Sequence, residues 1–177
     1  MRVRPAKRED IEEINRLTLE MHNHLGQLVG IEFTVDDLED EFYNESDSLD
    51  EVYVAEVDRK VVGYISFSNK IREDEWCGRY YALEHLIEDE KHRREGYGTR
   101  LLEVVLQRAQ KDDANVVADT FVKNEGTIKF FKSLGFKPFE TIFLLDRNRR
   151  LKLGNSQPQS TQGGLKELLR SSRRVDC

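Results

Sequence analysis

The 177-residue chain is predicted to be an α/β protein, a mixed sheet with helices on both faces. Short runs of alternating apolar residues indicate strands, and segments with apolar residues three and four apart indicate amphipathic helices. These segments follow one another in the order β-α-α-β-β-β-α-β-α-β. Without its last residues, the chain has the length of one domain with a full core.

The first half of the chain opens with a short predicted strand at residues 3–5 and a helix that begins near Asp10. Its apolar positions are Ile11, Ile14, Leu17, Leu19 and Met21. A second helix is predicted over residues 34–43, with Thr34 as its N-cap and two aspartates in the first turn. A polar loop then leads into the strands.

A hairpin is predicted next, with strands at 51–57 and 61–67 joined by a tight turn. Residues 68–78 are polar and are predicted to form a loop. Another strand follows at 80–88. The helix predicted over 99–111 has one apolar face, made of Leu101, Leu102, Val105, Leu106 and Ala109.

The remaining predicted elements are a strand at 116–122, a helix at 128–134 ended by Gly135, and a strand at 141–145. We therefore assign residues 1–150 to one domain and 151–177 to a flexible basic tail. The tail contains a Gln-, Ser-, Gly- and Pro-rich linker and could end in one short basic helix. Its basic residues lack interleaved aromatics, so nucleic-acid binding is not favoured.

Charge is distributed unevenly along the chain, whose formal net charge is −6. Residues 17–58 contain thirteen Asp and Glu and no Lys or Arg, whereas the chain from Arg147 onward has eight basic and two acidic residues. An acidic body thus carries a basic tail. The acidic stretch is either a solvated surface or an attractor for a cationic substrate.

The composition favours a cytoplasmic protein with no membrane partner. No apolar run reaches the roughly 18 residues of a membrane span, and the first residues lack a signal-peptide pattern. Cys77 and Cys177 do not form a disulfide framework or a zinc-binding pattern. His22 and His24 are two apart and do not face each other on a helix. No metal site is therefore expected.

The most informative stretch is Arg93-Arg94-Glu95-Gly96-Tyr97-Gly98, between an apolar strand and an amphipathic helix. Two glycines allow a tight turn, and the unpaired N–H groups of a helix N-terminus bind anions, most often phosphate. The two arginines add positive charge. A phosphorylated ligand is predicted here.

Three other interpretations compete with a phosphate site in this stretch. In the first, Gly96 and Gly98 serve only to begin a helix. Gly96, Gly98 and Asp119 imitate a dinucleotide-binding pattern, but Leu101 replaces the third glycine and charged residues separate the strand from Gly96. A P-loop is excluded because no Gly-Lys-Ser/Thr follows.

Together with the element order, three motifs resemble the GNAT superfamily of acetyl-CoA-dependent N-acyltransferases over residues 2–146. Residues 93–98 match the family's Arg/Gln-x-x-Gly-x-Gly/Ala loop, 81–88 its central strand, and 124–136 its Asn-x-x-Ala-x-x-Phe-Tyr-x-x-x-Gly-Phe segment. The resemblance implies a twisted, mostly antiparallel sheet of six to seven strands. It also implies acetyl transfer from acetyl-CoA to a primary amine.

The resemblance implies a donor site in which loop N–H groups hold the pyrophosphate and the central strand holds the pantetheine arm. A backbone N–H near Leu86 would polarise the thioester carbonyl. Asn124 and the helix after it would flank the pantetheine. The implied donor-binding residues are Leu86, Ile87, Glu88, Arg93, Arg94, Glu95, Gly96, Tyr97, Gly98, Thr99, Asn124 and Phe131.

Glu84 is the first candidate for the general base, because it aligns with a strand glutamate that has this role in some members. It is expected to be buried beside Leu83 and Leu86 with a raised pKa; the alternative is a strand-edge glutamate paired with Lys or Arg. His85 and Glu88 are weaker candidates. Strict alternation would place Glu84, Leu86 and Glu88 on one face and His85 on the other.

Phe131 departs from the family pattern, in which a tyrosine near the thiol is common. The thiolate would leave unaided, or water or Tyr43 would protonate it, since a thiol pKa near ~8.5 makes a fair leaving group. This departure keeps open a non-catalytic acyl-CoA sensor as the alternative function. The acceptor would lie near His22, His24 and Glu32, and the acidic stretch favours a cationic amine: a polyamine, an aminoglycoside-like amine, a lysine side chain or a protein N-terminus. A homodimer is compatible with the sequence.

Overall fold

The structure, a computed structural model, describes residues 1–141. Within this range the chain forms one six-stranded sheet. The strands are β1 (Arg2–Pro5), β2 (Val52–Val57), β3 (Lys60–Phe67), β4 (Arg72–Asp74), β5 (Gly78–Glu88) and β6 (Asn115–Ala118). The α-helices are α1 (Ile11–Val29), α2 (Tyr97–Lys111) and α3 (Glu125–Ser133), and 3₁₀ turns occupy Arg8–Asp10, Asp36–Glu41 and Glu90–His92.

The predicted fold class is confirmed. The strand order is β1-β2-β3-β5-β4, and all of these pairs are antiparallel. β6 pairs with β5 in parallel. Residues through Phe121 make one compact unit, and α3 belongs to a second unit that begins at Val122.

Two predicted elements differ in kind from the structure within its described part, and the strand expected at 116–122 is shorter, Asn115–Ala118. The helix expected over 34–43 is the 3₁₀ segment Asp36–Glu41, in which five of six side chains are acidic. Like charges at helical spacing repel one another, which disfavours a longer helix. The loop expected over 68–78 contains β4, which pairs with the first residues of β5. The strand predicted at 141–145 and the tail lie outside the described residues.

The hairpin between β2 and β3 is closed as predicted. Asp58 and Arg59 both have positive φ, at 48° and 64°. Positive φ at both central residues is the type I′ geometry, whose twist matches that of the flanking strands.

β3 is buried on both sides, because helices cover both faces of the sheet. Tyr64 on β3 reaches α1, where its hydroxyl lies 2.7 Å from Thr18 Oγ1. The neighbouring Gly63 lies under α2, and a Cβ added there would lie 3.5 Å from Leu101 Cδ1 on that helix. Since adjacent strand residues face opposite sides, α1 and α2 lie on opposite faces of the sheet.

None of the helices in the described part of the chain has the length and apolar character of a membrane span.

A buried ion-pair network fixes the start of the chain to the sheet. The Arg4 guanidinium donates to both carboxylate oxygens of Asp10, at 2.7 and 2.9 Å, and to Glu56 at 2.8 Å. Burial raises the pKa of Asp10, but hydrogen bonds from Arg4 and the Lys7 N–H outweigh it, so this pKa is lowered. A lowered carboxyl pKa stabilises the fold above its unfolded value and stops doing so as pH falls through the folded value.

We therefore expect Asp10→Asn to lower the free energy of unfolding by about 3 kcal/mol at pH 7, since it leaves a buried arginine partly unpaired. The loss should shrink below about pH 4. Urea unfolding at several pH values measures it. Glu9→Gln, at the exposed Lys7–Glu9 pair, is the control and should change stability by less than about 0.5 kcal/mol. Equal effects of the two substitutions would contradict the role of Asp10.

Candidate functional site

The loop after β5 turns the chain into α2 by two residues with positive φ. Arg94 has φ 67°, and Gly96, the N-cap of α2, has φ 83°. The first turn of α2 contains no acidic residue. The leading N–H groups of a 15-residue helix thus face the loop, which is the arrangement that binds anions.

A carboxylate of the protein reaches one of these N–H groups. Gly98 N–H donates to Glu88 Oε1 at 2.6 Å. The contact is close enough that a Cβ at position 98 would lie 3.3 Å from the Glu88 carboxyl carbon. Glu88 therefore lies at the end of β5 with its charge against the N-terminus of α2.

The strands that pair with β5 change near this loop. The ladder with β6 ends at Leu83–Ala118 within the described residues, while the ladder with β3 continues to Glu88. Asp89 N–H donates to Val62 O on β3. Because amide directions alternate along a strand, the N–H groups of Leu86 and Glu88 point away from β3. They face the edge of β5 beyond its ladder with β6.

Glu84 lies at a bulge in β5, where Phe67 pairs with Leu83 and Ser66 with His85. The bulge interrupts the strict alternation predicted for this strand. The burial expected for Glu84 is wrong: its side chain is 38% exposed and lies 3.8 Å from the Arg72 guanidinium. Partial burial nevertheless raises the pKa of Glu84, and the charge of Arg72 limits this rise. Both features considered from sequence, a raised pKa and a basic partner, are present.

Tyr43 is near the same place on the α1 side. Its pKa is raised, mainly by burial and further by the negative charges of Glu84 and Asp47, while a hydrogen bond with Ser66 acts in the opposite direction. Asn15 on α1 fixes this part of the chain by exchanging hydrogen bonds with the Tyr43 backbone at 2.8 and 2.9 Å.

A buried polar cluster, which the sequence analysis missed, contains His22, Glu41 and His85. Potential ligand atoms of the three side chains all lie within 4.8 Å of one another. Ser66 Oγ lies 2.9 Å from His85 Nδ1. Burial lowers the pKa of His85 to about 4, so its imidazole is neutral at pH 7. The three residues are far apart in sequence, and no local motif could have indicated their meeting.

The other predicted donor-binding residues surround the glycine loop. Arg93 and Arg94 are exposed, and Thr99 is half-buried in the first turn of α2. The Tyr97 hydroxyl donates to Glu95, whose carboxylate also lies 3.8 Å from His92 Nδ1. Leu86 and Ile87 lie on β5 beside the loop. The structure thus brings ten of the twelve predicted donor-binding residues to one end of β5.

The remaining two residues lie in the second unit. Asn124 is the N-cap of α3, and its side-chain oxygen accepts a hydrogen bond from Thr127 N–H at 3.4 Å. Phe131 is buried on α3 and contacts Phe130 and Phe136 at ring-centroid distances of 5.5 and 5.1 Å. Both therefore have structural contacts of their own within this unit.

Comparison with known proteins gives a consistent result. The sequence model of the Acetyltransferase (GNAT) family matches residues 11–136. A GNAT-family acetyltransferase from Staphylococcus aureus Mu50 is similar in structure, with TM-score 0.62, 21% identity, and coverage of 78% of this chain and 85% of that one. The aminoglycoside N-acetyltransferase AAC(6')-Iy, crystallised with CoA, has a TM-score of 0.58 and 16% identity, and the match covers 82% of this chain and 98% of that one. A mutant of the BH1408 protein from Bacillus halodurans has a TM-score of 0.61 and 20% identity, with coverage of 82% of this chain and 99% of that one. These structural likenesses concern the fold.

The positive φ of Gly96 generates a prediction about backbone strain. Within residues 1–141, nothing lies within 4 Å of a Cβ added at Gly96 or at Gly126, so neither substitution clashes with this part of the chain. Gly96→Ala should still lower the free energy of unfolding by about 1 kcal/mol, because a left-handed conformation penalises Cβ. Gly126→Ala, within α3, should raise it by up to about 1 kcal/mol. Urea unfolding measures both, and changes of the same sign would contradict the strain at Gly96.

Proposed function

The chain belongs to the GNAT acetyltransferase family and is an acetyl-CoA-dependent N-acetyltransferase; from this premise we propose that it acetylates a cationic primary amine, with Glu84 as the general base. The observation that carries the proposal is the arrangement at the end of β5. Within the described residues, an edge of β5 beyond its ladder with β6 leads through the 3₁₀ turn Glu90–His92 into a glycine turn and a helix N-terminus. A ligand with an extended arm and a pyrophosphate matches both parts.

In the proposed donor complex, the loop and first turn of α2 bind the pyrophosphate through backbone N–H groups. Arg93 and Arg94 add charge from the exposed side of the loop. The pantetheine arm pairs with β5 through the outward groups of Leu86 and Glu88, as an added strand would. This pairing places the thioester carbonyl near the Leu86 N–H, where a hydrogen bond stabilises the developing oxyanion.

The proposed reaction is direct attack of the amine on the thioester carbonyl. An N–C bond forms, the C–S bond breaks through a tetrahedral intermediate, and CoA leaves as the thiolate. Holding both reactants in one site provides much of the rate enhancement, and carbonyl polarisation provides another part. This chemistry needs no metal ion.

Glu84 is proposed to take the proton of the incoming ammonium, directly or through water. The amine arrives mostly protonated at pH 7, because an alkyl ammonium has a pKa near ~10.4. The raised pKa of Glu84 makes it a better base than an ordinary carboxylate. Its exposure of 38% supports the role, since the side chain can be reached by a substrate.

The thiolate is proposed to leave without a proton from Phe131, which has none to give. A thiol pKa near ~8.5 makes this departure feasible at neutral pH. Tyr43 is the alternative proton donor, and its raised pKa keeps the phenol protonated.

A cationic acceptor is proposed because acidic side chains lie on the face of the sheet that α1 covers. The 3₁₀ segment Asp36–Glu41 is acidic at five of six positions, and Glu84 lies near Tyr43, which follows it. Negative potential of this kind concentrates cations and increases their association rate.

A cytoplasmic location is also proposed, because the cysteine content provides no disulfide framework.

Two measurements test the proposed function. Calorimetry should detect CoA binding to the intact chain, and thiol release should reveal turnover with an amine panel. We expect polyamines, aminoglycosides and lysine-rich peptides to give kcat/KM at least tenfold above neutral amines at low salt, with the advantage falling as salt increases. A preference for neutral or anionic amines would contradict the proposed acceptor class.

Glu84→Gln should lower kcat about 100-fold or more, because the amine loses its proton acceptor. The wild-type rate should fall as pH drops through a Glu84 pKa above the ordinary 4.5, and the variant should lose this step. Glu73→Gln, an exposed residue on the adjacent β4, is the control and should keep both rate and profile. An unchanged profile in Glu84→Gln would exclude Glu84 as the base.

Glu88→Gln should bind CoA more tightly than wild type, by about tenfold, because a charged competitor leaves the Gly98 N–H. Pantetheine, which has no pyrophosphate, should bind both proteins equally. Calorimetry with the two ligands makes the comparison, and Glu90→Gln, on the exposed turn after β5, is the control. Weaker CoA binding in Glu88→Gln would show that the carboxylate supports the site instead of competing with its ligand.

A further inference from the structure

The cluster of His22, Glu41 and His85 joins three elements that the chain brings together from distant positions. His22 is on α1, Glu41 ends the 3₁₀ segment Asp36–Glu41, and His85 is on β5. The side chains of His22 and Glu41 are 14% and 5% exposed, and His85 is 6% exposed. His22 Nε2 lies 3.9 Å from Glu41 Oε2.

These three side chains supply a donor set that divalent transition metals use in proteins. Two imidazoles and one carboxylate are found in catalytic zinc sites and in other first-row metal sites with open positions. Sulfur is absent from the set, so the softest metals are disfavoured. The mutual distances of up to 4.8 Å exceed the roughly 3.3 Å between ligands of a tetrahedral zinc ion with 2.0–2.1 Å bonds. A shift of about 1 Å in the three side chains would provide that spacing.

Neighbouring groups hold the ligands in the form and orientation that a metal requires. Ser66 Oγ lies 2.9 Å from Nδ1 of His85, and in the tautomer in which Nδ1–H donates to this oxygen, Nε2 is the nitrogen that would bind an ion. A hydrogen bond on the second ring nitrogen is characteristic of metal-binding histidines, because it fixes the tautomer and the ring plane. The ring of Tyr64 lies 5.6 Å from that of His85, and Phe33 packs edge-on against His22 at 5.4 Å. Both imidazoles are therefore constrained by packing.

We propose that His22, Glu41 and His85 bind one divalent transition-metal ion, with Zn²⁺ as the best fit. Three protein ligands leave a fourth position for water or for a small ligand. The ion would connect α1 and the acidic 3₁₀ segment to β5, on the face of the sheet opposite to α2. Its three ligands are not among the groups assigned to acetyl transfer, which are the backbone of Leu86 and Glu88 and the side chain of Glu84.

A binding experiment tests the site with Zn²⁺ and Co²⁺ as probes. The intact chain, carrying Cys77→Ser and Cys177→Ser to remove both thiols, is freed of metal with a chelator and titrated. We expect one equivalent to bind in competition with a chromophoric chelator, and the melting temperature to rise with metal concentration. Bound Co²⁺ should show the visible bands of a low-coordinate site. Absence of binding at tens of micromolar Zn²⁺ would overturn the proposal, whatever the outcome of the CoA measurements.

Substitutions locate the ion. His22→Gln and Glu41→Gln should each weaken Zn²⁺ binding about 100-fold, and Ser66→Ala should weaken it about tenfold through the orientation of His85. His24→Gln, two residues from His22 on the same helix, is the matched control and should bind as the parent does. Far-UV circular dichroism in chelator identifies any variant that fails to fold. If Glu41→Gln fails, His22→Gln, whose side chain is more exposed, decides. Unchanged affinity in His22→Gln, or an equal loss in His24→Gln, would exclude this cluster as the site.

Discussion

The open edge of β5 and the polar cluster of His22, Glu41 and His85 both depend on the pairing of β5 with β3. This pairing holds β5 from Leu83 to Glu88, whereas β6 pairs only with Tyr80–Leu83, so one edge of β5 beyond Leu83 is open in the described structure. The bulge at Glu84 falls at this transition. An extra residue there changes which way the following amides and side chains point. The strand therefore presents the N–H groups of Leu86 and Glu88 at this open edge, and the His85 side chain lies against Ser66 and Tyr64 on the α1 face.

The burial of β3 explains why this pairing is firm. Every residue of this strand after Lys60 is buried, with α1 on one face and α2 on the other. Tyr81 on β5 adds a polar tie, because its hydroxyl donates to Asp112 at the end of α2 at 2.7 Å. Such a frame tolerates polar groups inside it when they are hydrogen-bonded, as Tyr64 is to Thr18 and Ser66 to His85. Polar groups placed this way are held rigidly, which suits binding or proton transfer.

Sequence reasoning succeeded where the signal is local. The glycine loop, the hairpin turn and the amphipathic faces of α1 and α2 each depend on residues within a few positions of one another. It was less successful with the acidic segment after α1, where like charges shortened the helix, and with β4, which contains polar residues and exists through its pairing with β5. The exposure of Glu84 was missed because a bulge leaves no composition signal. The meeting of His22, Glu41 and His85 depends on tertiary structure alone.

The two proton tasks of the proposed reaction meet near the bulge. Glu84 would accept a proton from the amine, and Tyr43 could give one to the departing thiolate. The pKa values of both groups are raised by partial burial, and the charge of Glu84 raises that of Tyr43 further. Once Glu84 accepts a proton, this charge disappears and the Tyr43 phenol becomes easier to deprotonate. Coupling of this sign favours the second transfer after the first, so a phenylalanine at position 131 is compatible with efficient turnover.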